Sequence, residues 1–432
     1  MGKWGKATLT ALISLSIGAS VPQGASEAAG SSAAASASVV NKVNVLLDDV
    51  ALGFDSAPRI ENSVTIVPFR TLAEALGINV QWEEKSQTVT ATGTVNGKAV
   101  KVVLRVGSAT ASVNGQSMKL LTASVKREGR VLIPLNFFST QFGAVVGWDS
   151  KTRTVSIVSP KREMHLRSFY ALGSFKQRGL ISSMNSVAFG WSRIDSNGEW
   201  VLDGADYNWP EAAGDITPES IVADASAAKA APYLMVYSVD GNNELTRMLG
   251  DAKLRTRSID SITKLVKEKG FGGVVLDFEG LGLKLDPLGQ QKLLNDYVSL
   301  LADKLSTDGV KLSLAVPPPN GSYKGYDYKR LAELADDLVL MAYDYKAPGA
   351  PTAPEPNAKV DAAIALMLKA GVPKQKLLLG INLNSETPTT LDDKLGLAKR
   401  YDLKGAAFWA LRYFGKEGMT EAMNASVTKK GN

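Results

Sequence analysis

The stretch Gly272-Gly273-Val274-Val275-Leu276-Asp277-Phe278-Glu279 decides the fold. A glycine pair leads into a β-branched, apolar run that ends on two acids. Side chains alternate along a strand, so Val275, Asp277 and Glu279 share one face and Leu276 and Phe278 share the other. In a barrel one face of a strand points inward and the other meets the helices, so Leu276 and Phe278 are the natural outward residues. Carboxylates at the strand's C-terminal end then lie where barrel enzymes place their chemistry. Two acids this close repel when both are ionised, so one pKa is expected to rise, as a general acid working near neutral pH requires.

The same rhythm extends to either side. Strands are expected at Phe169–Gly173, Ser186–Trp191, Pro232–Tyr237, Gly273–Phe278, Lys311–Val316, Asp337–Tyr343, Lys376–Leu383 and Gly405–Ala410. Helical stretches intervene, most clearly Ser258–Lys269, with Ile259, Ile262, Leu265 and Val266 at helical spacing, and Gln290–Ser306, with Leu293, Leu294, Val298 and Leu301. Alternation of β and α elements over roughly 260 residues predicts an α/β fold of the (β/α)8, or TIM barrel, kind. An open, doubly wound sheet is the alternative, but no glycine-rich phosphate turn follows the first strand.

Upstream lies an internal repeat. Val67-Pro68-Phe69-Arg70, Leu76-Gly77, Val80-Gln81-Trp82 and Thr88-Val89 are answered by Ile133-Pro134-Leu135-Asn136, Phe142-Gly143, Val146-Gly147-Trp148 and Thr154-Val155. The spacings from proline to glycine, tryptophan and valine are the same in both copies. Each copy reads as a strand ending at proline, a short helix stopped by glycine, and two further strands. Trp82 and Trp148 are expected to anchor the two halves of a small core, with sugar stacking as the less favoured alternative.

Composition excludes several chemistries. There is no cysteine and one histidine, His165. Disulfides, thiol nucleophiles and cysteine zinc sites are therefore impossible, and a histidine-based triad or metal site would depend on His165 alone. His165 sits in the charged run Lys161-Arg162-Glu163-Met164-His165 and reads as a surface residue at a domain junction. The net charge of +6 is spread along the chain, without the aromatic-laced basic patch of a nucleic-acid binder. The N-terminus reads as an export signal: Lys3 and Lys6 precede the apolar run 7–19, and small residues follow around Ala25. No other stretch is long enough to span a membrane. The expected layout is a signal over 1–27, an Ala/Ser-rich linker over 28–42, a duplicated α+β domain over 43–159 and the barrel over 165–425. On oligomeric state the sequence is silent.

Two family resemblances follow from these motifs. The repeat resembles the stalk-type domain found at the N-terminus of copper amine oxidases; with no histidine or cysteine ligand in this region, the name brings no copper. Asp277 and Glu279, with Phe278 between them, are similar to the end of the Asp-Gly-x-Asp-x-Asp-x-Glu signature of the family 18 glycoside hydrolases. Met341-Ala342-Tyr343-Asp344 is similar to that family's Met-x-Tyr-Asp, and Phe408-Trp409 to its eighth strand. Gly325-Tyr326-Asp327-Tyr328 adds a likeness to the spore and cell-wall branch.

This resemblance implies catalytic roles for Glu279, Asp277 and Tyr343 and substrate contacts for Asp344, Trp409 and Met341. Glu279 would protonate the glycosidic oxygen while the substrate's own acetamido oxygen attacks the anomeric carbon, the substrate-assisted exception to the two-carboxylate scheme. It implies no metal or organic cofactor. The implied partner is an N-acetylglucosamine-containing polysaccharide, peptidoglycan or chitin-like, met outside the cell at the wall. Two positions depart from the signature: Gly272 replaces its first acid, and Val275 replaces the polar residue below Asp277. A non-catalytic glycan-binding protein on the same barrel is therefore the alternative.

Overall fold

The structure is a computed structural model that describes residues 43–95, 97–171, 173–345 and 353–431. The expected signal and linker, and part of the proline-rich loop 348–356, lie outside the described residues. Eight barrel strands form: β1 (Arg162–Tyr170), β2 (Ser186–Ile194), β3 (Ala231–Val239), β4 (Gly273–Glu279), β5 (Lys311–Val316), β6 (Asp337–Met341), β7 (Leu377–Asn382) and β8 (Gly405–Trp409), all but β1 close to the expected runs. Each pairs in parallel with the next, and β1 pairs with both β2 and β8, so the sheet closes.

Helices flank the barrel for the reasons their sequences give. Ala252–Lys269 starts on Asp251, whose carboxylate accepts from the amides of Lys253 and Leu254, and it buries Ile259, Ile262, Leu265 and Val266. Pro287–Ser306 starts on Asp286 with proline in its first turn and buries Leu294, Val298 and Leu301. Leu276 and Phe278 join this outer core between strands and helices. Val275, Met235 and Phe169 belong to a separate cluster inside the barrel. Among the described residues no helix is long and apolar enough to cross a membrane.

Two expectations need correcting here. The first strand runs from Arg162 to Tyr170 rather than from Phe169 to Gly173. His165 is consequently not a surface residue but a β1 side chain, partly buried, whose Nε2 lies 2.9 Å from Ser186 Oγ. Burial and the neighbouring Arg167 hold its imidazole down to about 3, so it stays neutral. The cause is a polar cluster that closes the lower end of the barrel. Fully buried Arg167 donates to Asp337 (2.8 Å), Ser313 (2.6 Å) and Ser186 (2.9 Å), and Lys404 reaches the other Asp337 oxygen at 2.6 Å. Burial alone would raise the Asp337 pKa, but Arg167 and Lys404 outweigh it and the carboxyl is held below its ordinary value.

The repeat is visible in the N-terminal domain. Val64–Pro68, Phe69–Ala75 and Asn79–Glu83 are matched by Arg130–Pro134, Leu135–Gln141 and Val145–Asp149, strand, helix and strand in each case. Gly77 and Gly143 follow the helices at φ of 65° and 82°, a left-handed turn that glycine adopts without strain. The copies meet where Val67 pairs antiparallel with Ile133.

The tryptophans behave differently. Trp82 packs half-buried against the domain core. Trp148 does not anchor a core: it is 48% exposed and, unlike Trp82, does not pack against the domain's hydrophobic cluster.

This domain sits directly on the barrel. Arg162 donates to Lys399 O at 3.0 Å and also to Leu76 O, and Arg400 donates to Ala51 O at 3.0 Å. Gly396 faces Asp48 so closely that a Cβ there would overlap the aspartate side chain.

Candidate active site

Alternation along β4 delivers what its sequence predicts. Val275 is fully buried in the barrel interior, Asp277 lies one layer above it at 5% exposure, and Glu279 emerges at the mouth. Tyr237 of β3 and Ala315 of β5 stand level with Asp277. Among the described residues nothing donates to Asp277 Oδ1, a buried oxygen with no hydrogen-bond partner. Of the polar groups within sequence reach, neither Tyr237 nor Tyr343 bonds it. Ser238 lies on the opposite strand face from Tyr237, its own hydroxyl also unpartnered.

Burial, and then the Glu279 charge, push the Asp277 carboxyl well above its ordinary value. Burial, and then Asp344, raise Glu279 from 4.5 to about 7. Both carboxyls rise, where the sequence led us to expect one. Near neutral pH the pair holds at least one proton that two surface acids would have lost.

The end of β6 supplies the facing wall. Tyr343 is half-buried, and desolvation followed by Asp277 and Glu279 raise its phenol well above the ordinary value, so it stays a donor. Asp344 adopts a left-handed φ of 64°. That turn is held by Glu355, 3% exposed, which accepts from the amides of Asp344 and Tyr345 at 3.2 Å each. Glu355 in turn donates its amide to Glu386, whose side chain lies 3.5 Å from buried Lys394. A cleft of about 310 Å³ opens here, with Glu279, Met341, Tyr343 and Asp344 in its lining and Tyr323 and Tyr345 at its side. Met341 itself is 6% exposed and also belongs to the barrel interior.

Aromatic rings form the rest of the mouth. Trp409, at the end of β8, is half-buried and packs on Phe169 with centroids 5.5 Å apart; its bond to Ala410 is cis. Tyr207 stacks on Tyr237 at 3.9 Å and 15°, and stands 6.4 Å from Trp409. All six predicted site residues therefore gather at the C-terminal end of the barrel.

The sequence reading missed three further residues. Tyr207 comes from the loop after the short strand Trp200–Val201, where no periodicity points to it; the only signal is its neighbour in Tyr207-Asn208-Trp209. Glu355 and Glu386 stand far apart in sequence, and their only signal is a single acid flanked by small or apolar residues.

Residues 46–157 match the family model for the copper amine oxidase N-terminal domain. YdhD of Bacillus subtilis (strain 168), whose name describes a sporulation-specific glycosylase, is 28% identical over 142 residues. Chitotriosidase-1 of Mus musculus is 30% identical over 165 residues. These alignments cover 32% and 33% of this chain and 32% and 35% of the two relatives, so the chain spans about a third of the length of the curated relatives it matches. The crystal structure of the Bacillus cereus spore cortex-lytic enzyme SleL superposes with a TM-score of 0.51 at 16% identity, covering 63% of this chain and 77% of that one, a likeness of fold. Residues 175–396, which include the strand carrying Asp277 and Glu279, match the family model for glycosyl hydrolases family 18, and the chain belongs to that family.

Proposed function

We propose that the protein is a glycosidase that cleaves N-acetylglucosamine-containing polysaccharide by retaining, substrate-assisted catalysis. One observation carries this: Glu279 stands in a cleft at the barrel mouth, its carboxyl pushed up to about 7 by burial and Asp344, directly above a second, buried carboxyl. A general acid is most effective when its pKa lies near the working pH.

In this reading Glu279 gives its proton to the glycosidic oxygen as the bond from that oxygen to the anomeric carbon breaks. The acetamido oxygen of the same sugar closes on the anomeric carbon. Asp277 accepts from the acetamido N–H, which supplies the partner its buried oxygen lacks. Tyr343 donates to the acetamido oxygen. Asp344 holds a sugar hydroxyl, Trp409 stacks under the pyranose ring, and Met341 fills the cleft floor. Water then opens the cyclised intermediate with Glu279 as base, returning the original anomeric configuration.

Peptidoglycan is the favoured polymer, supported by the sporulation and spore-cortex names among the relatives and by the stalk-type domain. An exported, wall-associated location is supported by the basic and then apolar N-terminal sequence. A second reading, a glycan binder without catalysis, is favoured by Val275, which cannot orient Asp277.

The test pairs N-acetylated glycan oligosaccharides with the same oligosaccharides stripped of their acetyl groups. Cleavage of the first alone is the expected result. Equal cleavage of both would remove the acetamido group from the mechanism, and binding without cleavage of either would establish the second reading.

A further inference from the structure

The internal repeat gives the N-terminal domain two equivalent grooves, each bounded by the proline that starts the short helix and the tryptophan of the following strand. Their fates differ. The first, about 370 Å³, includes Pro68, Phe69 and Trp82. It is filled with charge: Glu84 accepts from Trp82 Nε1 at 2.6 Å and from Lys126 at 2.8 Å, Lys126 lies 5.5 Å from the Trp82 ring, and Arg130 pairs with Asp55. The second, about 700 Å³, includes Pro134, Leu135 and Trp148 and is open. Among the described residues Lys119 is the single charged side chain in its lining, and no carboxylate lies there.

We propose that this second groove is an accessory glycan site that holds a neutral or weakly anionic polysaccharide strand while the barrel acts on it. Trp148 is 48% exposed and Leu121, in the same lining, is 88% exposed, so the groove offers apolar surface to a ligand. Around it stand uncharged hydrogen-bonding groups: the Asn136 amide and the hydroxyls of Ser63, Thr65 and Thr140. A flat apolar face with an amide and hydroxyl edge complements a pyranose ring, whose C–H face is apolar and whose rim carries hydroxyls and acetamido groups. The lack of any carboxylate, together with Lys119, suits a ligand without positive charge. A second site on a domain packed against the barrel also raises the effective concentration of polymer at the cleft. The choice of polysaccharide rests on the family 18 reading of the barrel; the binding test below does not depend on cleavage.

The full chain carrying Glu279→Gln, which halts cleavage in that reading, is mixed with insoluble peptidoglycan and with chitin, and bound protein is measured. Adding Trp148→Ala is expected to weaken binding roughly fivefold, the loss of one aromatic stacking face. Leu121→Asp, at an exposed position that folding does not use, is expected to weaken it similarly, and Trp82→Ala to leave it unchanged. With Glu279 restored, Trp148→Ala is expected to cleave a soluble disaccharide substrate at the parent rate. Unchanged polymer binding in both Trp148→Ala and Leu121→Asp overturns the proposal, as does an equal loss in Trp82→Ala. A chain that cleaves nothing, yet binds polymer through Trp148, refutes the catalytic reading and leaves this site standing.

Discussion

Asp277 and Glu279 share one face of β4, yet only Glu279 opens on the cleft, while Asp277 is sealed behind it with Oδ1 unpartnered. Glu279 ends the strand at the mouth, and Asp277 lies one layer deeper. Val275 is buried and apolar, so no group from beneath fixes the Asp277 carboxyl. Burial and the Glu279 charge hold the Asp277 carboxyl above its ordinary value, and in the proposed mechanism the substrate acetamido N–H supplies the partner that Oδ1 lacks.

Val275→Asn places a donor one layer below Asp277. Partners that orient a reacting group commonly matter by about tenfold or more, so kcat/KM on a soluble N-acetylated oligosaccharide is expected to rise by about tenfold. A fall in rate with unchanged thermal stability would mean that the valine is tuned to the chemistry.

The raised Glu279 pKa has a thermodynamic cost. Between its unfolded value of 4.5 and its folded value of about 7 the native state binds more protons than the unfolded chain. Stability contributed by the protonated group is therefore present at low pH and lost as pH rises through that window. Glu279→Gln cannot ionise, so its melting temperature is expected to exceed that of the parent at pH 8, by up to about 3 kcal/mol of stability, and to converge with it near pH 4. A parent and variant that melt alike at pH 8 would contradict the pKa assignment.

Arg167 and Asp337 make the opposite case at the lower end of the barrel, where the pair is 0% and 1% exposed. Asp337→Asn leaves Arg167 buried without a counter-charge and is expected to cost about 3–5 kcal/mol by denaturant unfolding. Arg167→Met combined with Asp337→Leu is expected to recover much of that loss, and both proteins should keep cleft chemistry wherever they remain folded. The Asp337 pKa is depressed, so its contribution is present above the ordinary carboxylate range and fades as pH falls through the folded value.

Tyr207 stands at the mouth, stacked on Tyr237 and 6.4 Å from Trp409. Tyr207→Ala is expected to raise KM by roughly three- to tenfold and to change kcat less, since the ring borders the mouth and carries no proton to the reaction. An equal loss in kcat with KM unchanged would place Tyr207 in the chemical step.

Much of this was legible because barrel strands are apolar on both faces. The runs around Val274, Leu314 and Leu379 identify their strands without help from partners. β1 was misplaced because its lower half carries His165 and Arg167, polar residues satisfied across the barrel by Ser186, Ser313 and Asp337, which no local pattern reveals. Trp148 was misjudged because the repeat equates it with Trp82, whereas burial depends on what packs beside the strand. Glu355 and Tyr207 act from loops, where position follows from contacts distant in sequence.

The most direct measurement is reducing-end release from peptidoglycan and chitin oligosaccharides by the full chain and by Glu279→Gln. The account predicts release by the parent and its loss, by about a thousandfold or more, in the variant, as expected when a general acid is removed. Release that survives the substitution, or a parent that binds both polymers and cleaves neither, would contradict it.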